Sequence, residues 1–75
     1  MRLSDGTIGK SYLVKQVDAA ERITRRLEAL GVNEGIFVRI LNRKKTGTVM
    51  IKVRGTWLAL GAKIADGIEV KEGEG

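Results

Sequence analysis

One stretch in the middle of the chain, Arg25–Leu41 (RRLEALGVNEGIFVRIL), changes abruptly from a helical to a strand pattern. Leu27 and Leu30 have helical spacing, and Gly31 follows directly as a residue that can take the left-handed conformation that ends a helix. Val32 then falls where a Schellman-type helix end places an apolar contact back onto Leu27. The sequence therefore predicts a helix that is held tightly to the strand after it, which restricts how the two can pack.

Apolar and polar residues alternate in the segments on both sides of this stretch, as they do in short strands that are buried on one face. The alternation predicts strands over residues 10–17, 36–41, 48–54, 57–60 and 68–70. The inner strand positions and the apolar stripe of the helix form the predicted core: Val14, Ile36, Val38, Ile40, Val49, Ile51, Val53, Leu58, Leu60, Ile23, Leu27 and Leu30.

The helix is predicted over residues 19–30, where Asp18 as N-cap and Glu21 three positions later match a capping box. A second, single helical turn is predicted over residues 62–66, which lie between two glycines. The segment NRKKTG, residues 42–47, has the turn residues and bases of a hairpin tip.

This order of elements predicts a mainly-β fold. We expect a small closed barrel of about five strands, with one inserted α-helix and one short C-terminal helical turn. The 75 residues are enough for one small domain, so we expect a single domain over residues 1–75 in which residues 71–75 form a flexible tail.

Two absent residue types exclude much of enzyme and metal chemistry. The chain has no cysteine and no histidine, and therefore lacks a thiolate nucleophile, the commonest general base and the commonest transition-metal ligands. The carboxylates fall on helix caps, helix surface and turns rather than in pairs or clusters. We therefore expect no enzyme, no catalytic residue, no resident metal site and no cofactor.

Positive charge is concentrated in one half of the chain. The formal net charge is +5, and residues 35–65 contain seven bases and no acid. Such a surface is either a solvated sheet face or an attractive surface for an acidic partner, nucleic acid or anionic lipid heads. The chain has no apolar run long enough to span a membrane and no signal-peptide pattern, so we expect a cytoplasmic protein that does not insert into the bilayer.

Some large side chains occur at strand positions that point away from the predicted interior. Either the helix and the termini cover them in a second small core, or they form an exposed contact patch. We expect partner contacts from this patch and its basic edge, and from the outer face of the helix, through Phe37, Met50, Trp57, Arg39, Lys52, Arg54, Arg22, Arg25 and Arg26.

The residues described so far resemble the FeoA family, and the resemblance extends from Leu3 to Val70. Its most specific part is the spacing of Leu27, Leu30, Gly31, Gly35 and Val38. The opening and the close of the family pattern are matched by Leu3, Ser4, Asp5, Gly9, Leu58, Leu60, Ala65, Ile68 and Val70.

The resemblance implies an SH3-like barrel with a helix inserted after the first strand. It also implies a non-enzymatic module of ferrous iron uptake that binds or regulates the cytoplasmic part of an FeoB-type transporter. Two alternatives remain open. One is a small basic barrel that binds nucleic acid, although three aromatic residues are few for base stacking. The other is an FeoA-like domain of the kind found in metal-dependent regulators.

Overall fold

The computed structural model describes residues 1–73 and contains one antiparallel sheet of five strands. A 3-10 turn at Leu3–Asp5 precedes β1 Ser11–Val17, α1 Glu21–Ala29, β2 Phe37–Arg43, β3 Val49–Val53, β4 Thr56–Leu60, α2 Ala62–Asp66 and β5 Ile68–Glu72. The predicted mainly-β fold with an inserted helix and a short second helix is confirmed. The second helix has the predicted bounds, and the strand bounds differ from the prediction by up to two residues.

The prediction that the strands close into a barrel is wrong. The strand order is β4-β3-β2-β1-β5, and within residues 1–73 the two outer strands do not pair with each other. The N-terminal residues occupy the edge of β5 that closure would need: Arg2 forms a bridge with Glu69, and the Val70 amide donates to the Met1 carbonyl at 2.8 Å. The sheet is therefore open, and β4 forms its uncovered edge.

The end of α1 has the predicted geometry. Gly31 has a φ of 96°, in the region that favours glycine. The amide of Gly31 donates to the Glu28 carbonyl at 3.0 Å, and the amide of Val32 donates to the Leu27 carbonyl at 2.8 Å. These two bonds define a Schellman motif. Val32 is fully buried, as the apolar contact of such a motif requires.

The beginning of α1 differs from the prediction. The helix starts at Glu21, its N-cap is Ala20, and the cap makes no side-chain hydrogen bond. Asp18 lies outside the helix because its amide donates to the Gly67 carbonyl at 2.7 Å, which ties it to the end of α2. The predicted capping box is therefore wrong: a long-range backbone bond holds Asp18, and the Glu21 carboxylate pairs with Arg25 instead.

The core matches most of the predicted positions. Val14, which belongs to an irregular strand with a bulge after it, is buried. Leu30 is 41% exposed, so the prediction that it is in the core is wrong. It is the C-cap of α1 and lies where β4 ends the sheet, with no further strand to cover it among residues 1–73. Buried positions that the predicted core lacked are Leu3, Tyr12, Val32, Ala65, Ile68 and Val70.

The last strand is longer than predicted, which corrects the proposed tail. Lys71 and Glu72 belong to β5, where they pair with Leu13 and Tyr12 of β1. Of the remaining predicted tail, Gly73 follows the strand and residues 74–75 lie outside the described residues. Neither helix found in residues 1–73 has the length and apolar character that crossing a membrane would require.

Candidate interaction site

An apolar cleft of about 300 Å³ lies between α1 and the uncovered strand β4. We call it the edge groove. Its volume is at the lower end of the range for ligand pockets, and its shape is open along one side. Its lining residues are Ile23, Arg26, Leu27, Leu30, Leu58, Ala59, Leu60 and Ile64.

The helical repeat explains which side chains of α1 reach the edge groove. Residues three and four apart lie on the same side of a helix, so Ile23, Leu27 and Leu30 form one apolar stripe. Arg26 borders this stripe, and Arg22 lies one turn before Arg26 on the same side. The wall that α1 contributes is therefore apolar at its centre and basic at its rim.

Arg25 is not among the residues that line the edge groove. Its guanidinium is 2.6 Å from the Glu21 carboxylate, and both side chains are more than three-quarters exposed (76% and 78%). An exposed pair of this kind contributes little to stability because water screens it. The structure thus divides the predicted arginine face: Arg26 lines the edge groove, Arg22 lies one turn before it, and Arg25 is paired with Glu21.

Trp57 is the most exposed large apolar residue among those described, with 68% of its surface accessible. It lies on the outer face of the sheet, at a cleft that we call the outer cleft. In the strand ladders, Trp57 is opposite Lys52, which in turn is opposite Arg39. The outer cleft is lined by Leu41, Asn42, Lys44, Met50 and Trp57.

The structure does not bring all the predicted patch residues together. Phe37 is opposite Leu13 and close to Gly73, where an added Cβ would be 2.7 Å from the Phe37 ring. Arg54 lies in the turn between β3 and β4, and its side chain extends to Gly31. The predicted single patch is therefore two separate regions, Phe37 beside β1 and β5 and Trp57 with Met50 at the outer cleft.

The edge groove does not follow from the sequence pattern. The alternation predicts Leu58 and Leu60 in the interior, where Leu60 is indeed buried, and Ile64 falls in the predicted helical turn. Apolar residues that alternate in a strand look the same in a central strand and in an edge strand, so the sequence carried no signal for the open side. The exposed Leu30 next to this edge became visible only with the strand order.

The acidic residues within the described part of the chain do not converge on a common point. Within residues 1–73, no three of the side chains from His, Cys, Asp and Glu are grouped so that they could hold a metal ion. Glu28 and Glu34 line a different cleft, and Asp66 accepts a hydrogen bond from Ser4 at 3.1 Å.

The family model of the FeoA domain matches residues 1–72 of the chain. The chain belongs to the FeoA family. A relative from Methanocaldococcus jannaschii, provisionally named Fe(2+) transport protein A, is 32% identical over 66 residues, which cover 88% of this chain and 79% of the relative. The resemblance seen in the sequence is therefore confirmed.

Solved structures of FeoA proteins share the fold. The FeoA protein of Chlorobium tepidum superimposes with a TM-score of 0.90 at 29% identity, covering 96% of this chain and 70% of that protein. A zinc complex of FeoA from Stenotrophomonas maltophilia, a prokaryotic SH3 domain protein, superimposes with a TM-score of 0.81 at 30% identity, covering 95% and 89%. The FeoA family thus consists of small, non-enzymatic SH3-like domains.

The same fold also occurs within regulators. A manganese-dependent transcriptional repressor superimposes with a TM-score of 0.87 at 20% identity, and the match covers 96% of this chain but 41% of that protein. At this identity the similarity shows the fold alone. It is consistent with the FeoA assignment and adds no function to it.

Proposed function

We propose that this FeoA-family chain is a non-enzymatic interaction module of ferrous iron uptake, and that it binds the cytoplasmic part of an FeoB-type transporter. Family membership over residues 1–72 and the name of the archaeal relative support the link to ferrous iron transport. The proposal places the chain on the cytoplasmic side of the membrane as one domain, with iron as the cargo of its partner.

The edge groove is the observation that carries the proposal. Apolar surface in water is unfavourable, and the groove keeps Leu30 exposed by 41% beside the half-buried side chains of Leu58 and Ile64. Contiguous apolar surface with a polar rim is typical of protein contact sites. Arginine is enriched among residues that contribute most to binding, and Arg26 lies at this rim.

Binding of the purified cytoplasmic part of an FeoB-type transporter tests the proposal directly. We expect Arg26→Ala to weaken the complex if the edge groove is the contact, and Trp57→Ala to weaken it if the outer cleft is. Lys45→Ala is the matched control because it also removes one exposed positive charge, at the hairpin tip and outside both clefts. Absence of binding by the unaltered chain would refute the proposal.

A second candidate function rests on the outer face of the sheet. Across three strands, a row is formed by Arg39, Lys52 and Trp57, so the exposed indole ring lies in line with two positive charges. Proteins that bind single-stranded nucleic acid combine aromatic rings, on which the bases stack, with basic side chains that neutralise the phosphates. If phosphate contacts alone are responsible, binding to single-stranded RNA is weak, unselective and lost steeply as salt rises. Tight, sequence-dependent binding at physiological salt would favour this candidate over the transporter.

A further inference from the structure

We infer that the uncovered edge of β4 binds its partner by strand addition, taking an extended segment in which apolar and acidic residues alternate. The inference rests on the proposed function and specifies the chemistry of the contact. Three observations carry it: free backbone groups on β4, apolar side chains in the edge groove, and basic side chains near this edge on both faces of the sheet.

The backbone groups follow from the hairpin that joins β3 and β4. Arg54 and Gly55 form a two-residue turn with φ values of 50° and 80°, positive at both positions as in a type I′ turn. Across such a turn the flanking pair, Val53 and Thr56, is hydrogen-bonded, and bonded and non-bonded pairs then alternate along the ladder. The alternation fixes the direction in which every amide of β4 points.

Trp57 and Ala59 occupy the non-bonded pairs of this ladder. Their N–H and C=O groups therefore point away from β3, towards the open edge. Within residues 1–73, no other backbone or side-chain group hydrogen-bonds to them. An extended chain beside β4 would find two donors and two acceptors at strand spacing, which is the requirement for strand addition.

Side chains on the added strand would alternate between the two faces of the sheet. On the inner face they would enter the edge groove and contact Leu58, Leu60 and Leu30. Apolar side chains fit this position because they would cover surface that is now open to water. On the outer face they would lie beside Trp57, which contributes an aromatic contact at the same edge.

Charge specifies the rest of the partner. Arg26 lines the edge groove, Arg22 lies one turn away on the same side, and none of the residues that line the groove is acidic. Because the segment alternates, its acidic side chains would lie on the outer face, where Lys52 and Arg39 continue the row that begins at Trp57 and would attract carboxylates. A second copy of the chain fits less well, because both copies carry a net charge of +5 and would bring the same arginines to one groove.

Synthetic peptides test the inference without altering the protein. The probe is a peptide of about ten residues in which leucine and glutamate alternate, and lysine replaces glutamate in its charge-reversed control. We expect the acidic peptide to bind and to shift the amide resonances of Trp57 and Ala59, and the control not to bind. Two further peptides carry N-methyl groups on alternate amides, one on the odd-numbered and one on the even-numbered residues. Only one of these two sets of amides faces β4, so methylation of that set should abolish binding and methylation of the other should not. Equal binding, or equal loss, in both sets would overturn the inference.

A proline variant tests the same contact from the side of the protein. Ala59→Pro removes an amide N–H that points out of the sheet, and an edge strand tolerates proline at such a position. We expect the acidic peptide and the transporter fragment to bind this variant at least about tenfold more weakly. The control variant, Ala59→Val, keeps the amide N–H and should bind as the unaltered chain does. The thermal midpoints of both variants show whether each still folds. Unchanged binding in a folded Ala59→Pro protein would overturn the inference.

The two proposals fail in different ways. If the transporter fragment binds and neither Ala59→Pro nor N-methylation weakens binding, strand addition is wrong and the proposed function stands. If the peptide binds by strand addition and the transporter fragment does not bind, the proposed function is wrong. Absence of binding by both probes overturns the inference as well, and self-association of the chain through β4 in sedimentation would assign the edge to a second copy.

Discussion

The two outer strands of the sheet have opposite surroundings. The edge of β5 is covered by the chain's own first residues: Val70 exchanges two backbone bonds with Met1, at 2.8 Å and 3.1 Å, and Leu3 is fully buried behind them. The edge of β4 has no such cover within the described residues and lies beside an apolar groove. The edge of β5 is thus paired within the folded domain, whereas the edge of β4 has backbone groups without a partner among the described residues.

This difference also bears on solubility. Unpaired edge strands invite association with other chains, and proteins commonly restrain them with basic side chains. The bare edge of β4 has Lys52 and Arg54 on its hairpin and Arg26 across the groove. Repulsion between these charges opposes self-pairing while leaving the edge accessible to an acidic segment. The comparison between the covered and the bare edge can be tested at several residues.

The largest effect is expected at the covered edge, from Leu3→Ala. The leucine is fully buried, so its truncation leaves a cavity and loosens the N-terminal cover of β5; we expect a loss of about 2–5 kcal/mol in the free energy of unfolding. Urea unfolding measures it. Ile8→Ala, at a residue that is 51% exposed, is the control and should change the free energy little. A loss no larger than that of the control would show that the N-terminal cover is not docked.

Two leucines of α1 distinguish structure from binding at the bare edge. Leu27 is 3% exposed, and we expect Leu27→Ala to cost about 2–5 kcal/mol of unfolding free energy. Leu30 is 41% exposed, so Leu30→Ala should cost clearly less and act mainly on partner binding. Thermal unfolding of both variants provides the comparison. Equal losses would contradict the burial of the helix described above.

Amide hydrogen exchange compares the edges without any substitution. The Val70 amide is bonded to Met1, and its exchange should require opening of the N-terminal cover. The Trp57 and Ala59 amides point to the open edge and should exchange much faster. The rates are measured by NMR in deuterated water. Comparable protection of Ala59 and Val70 would mean that something already covers β4 in solution.

The smallest effect on stability is expected from Trp57→Ala. Because 68% of the side chain is accessible, its removal should change the free energy of unfolding by no more than about 0.5 kcal/mol. Chemical unfolding followed by circular dichroism measures this change without depending on the tryptophan signal. A loss above about 1 kcal/mol would place the ring in a packed environment and weaken its assignment to a contact surface.

The sequence by itself determined the features that depend on residues close together in the chain. The end of α1 at Gly31 follows from the local bonds of a Schellman motif, and the bounds of α2 follow from the glycines at 61 and 67 on either side of it. Alternation placed Val38, Val49 and Ile51 in the core, because the faces of a strand repeat every two residues. These patterns, together with the family resemblance, were sufficient for the fold class.

Only the tertiary structure decided where α1 begins and which strand lies at the open edge of the sheet. Asp18 carries a capping signal, yet a backbone bond to distant Gly67 holds it outside the helix. The alternation of Leu58 and Leu60 is the same whether β4 is central or at an edge, so the open sheet, the exposed Leu30 and the edge groove could not be predicted from it. Strand order depends on contacts between residues far apart in the chain, and local patterns do not encode those contacts.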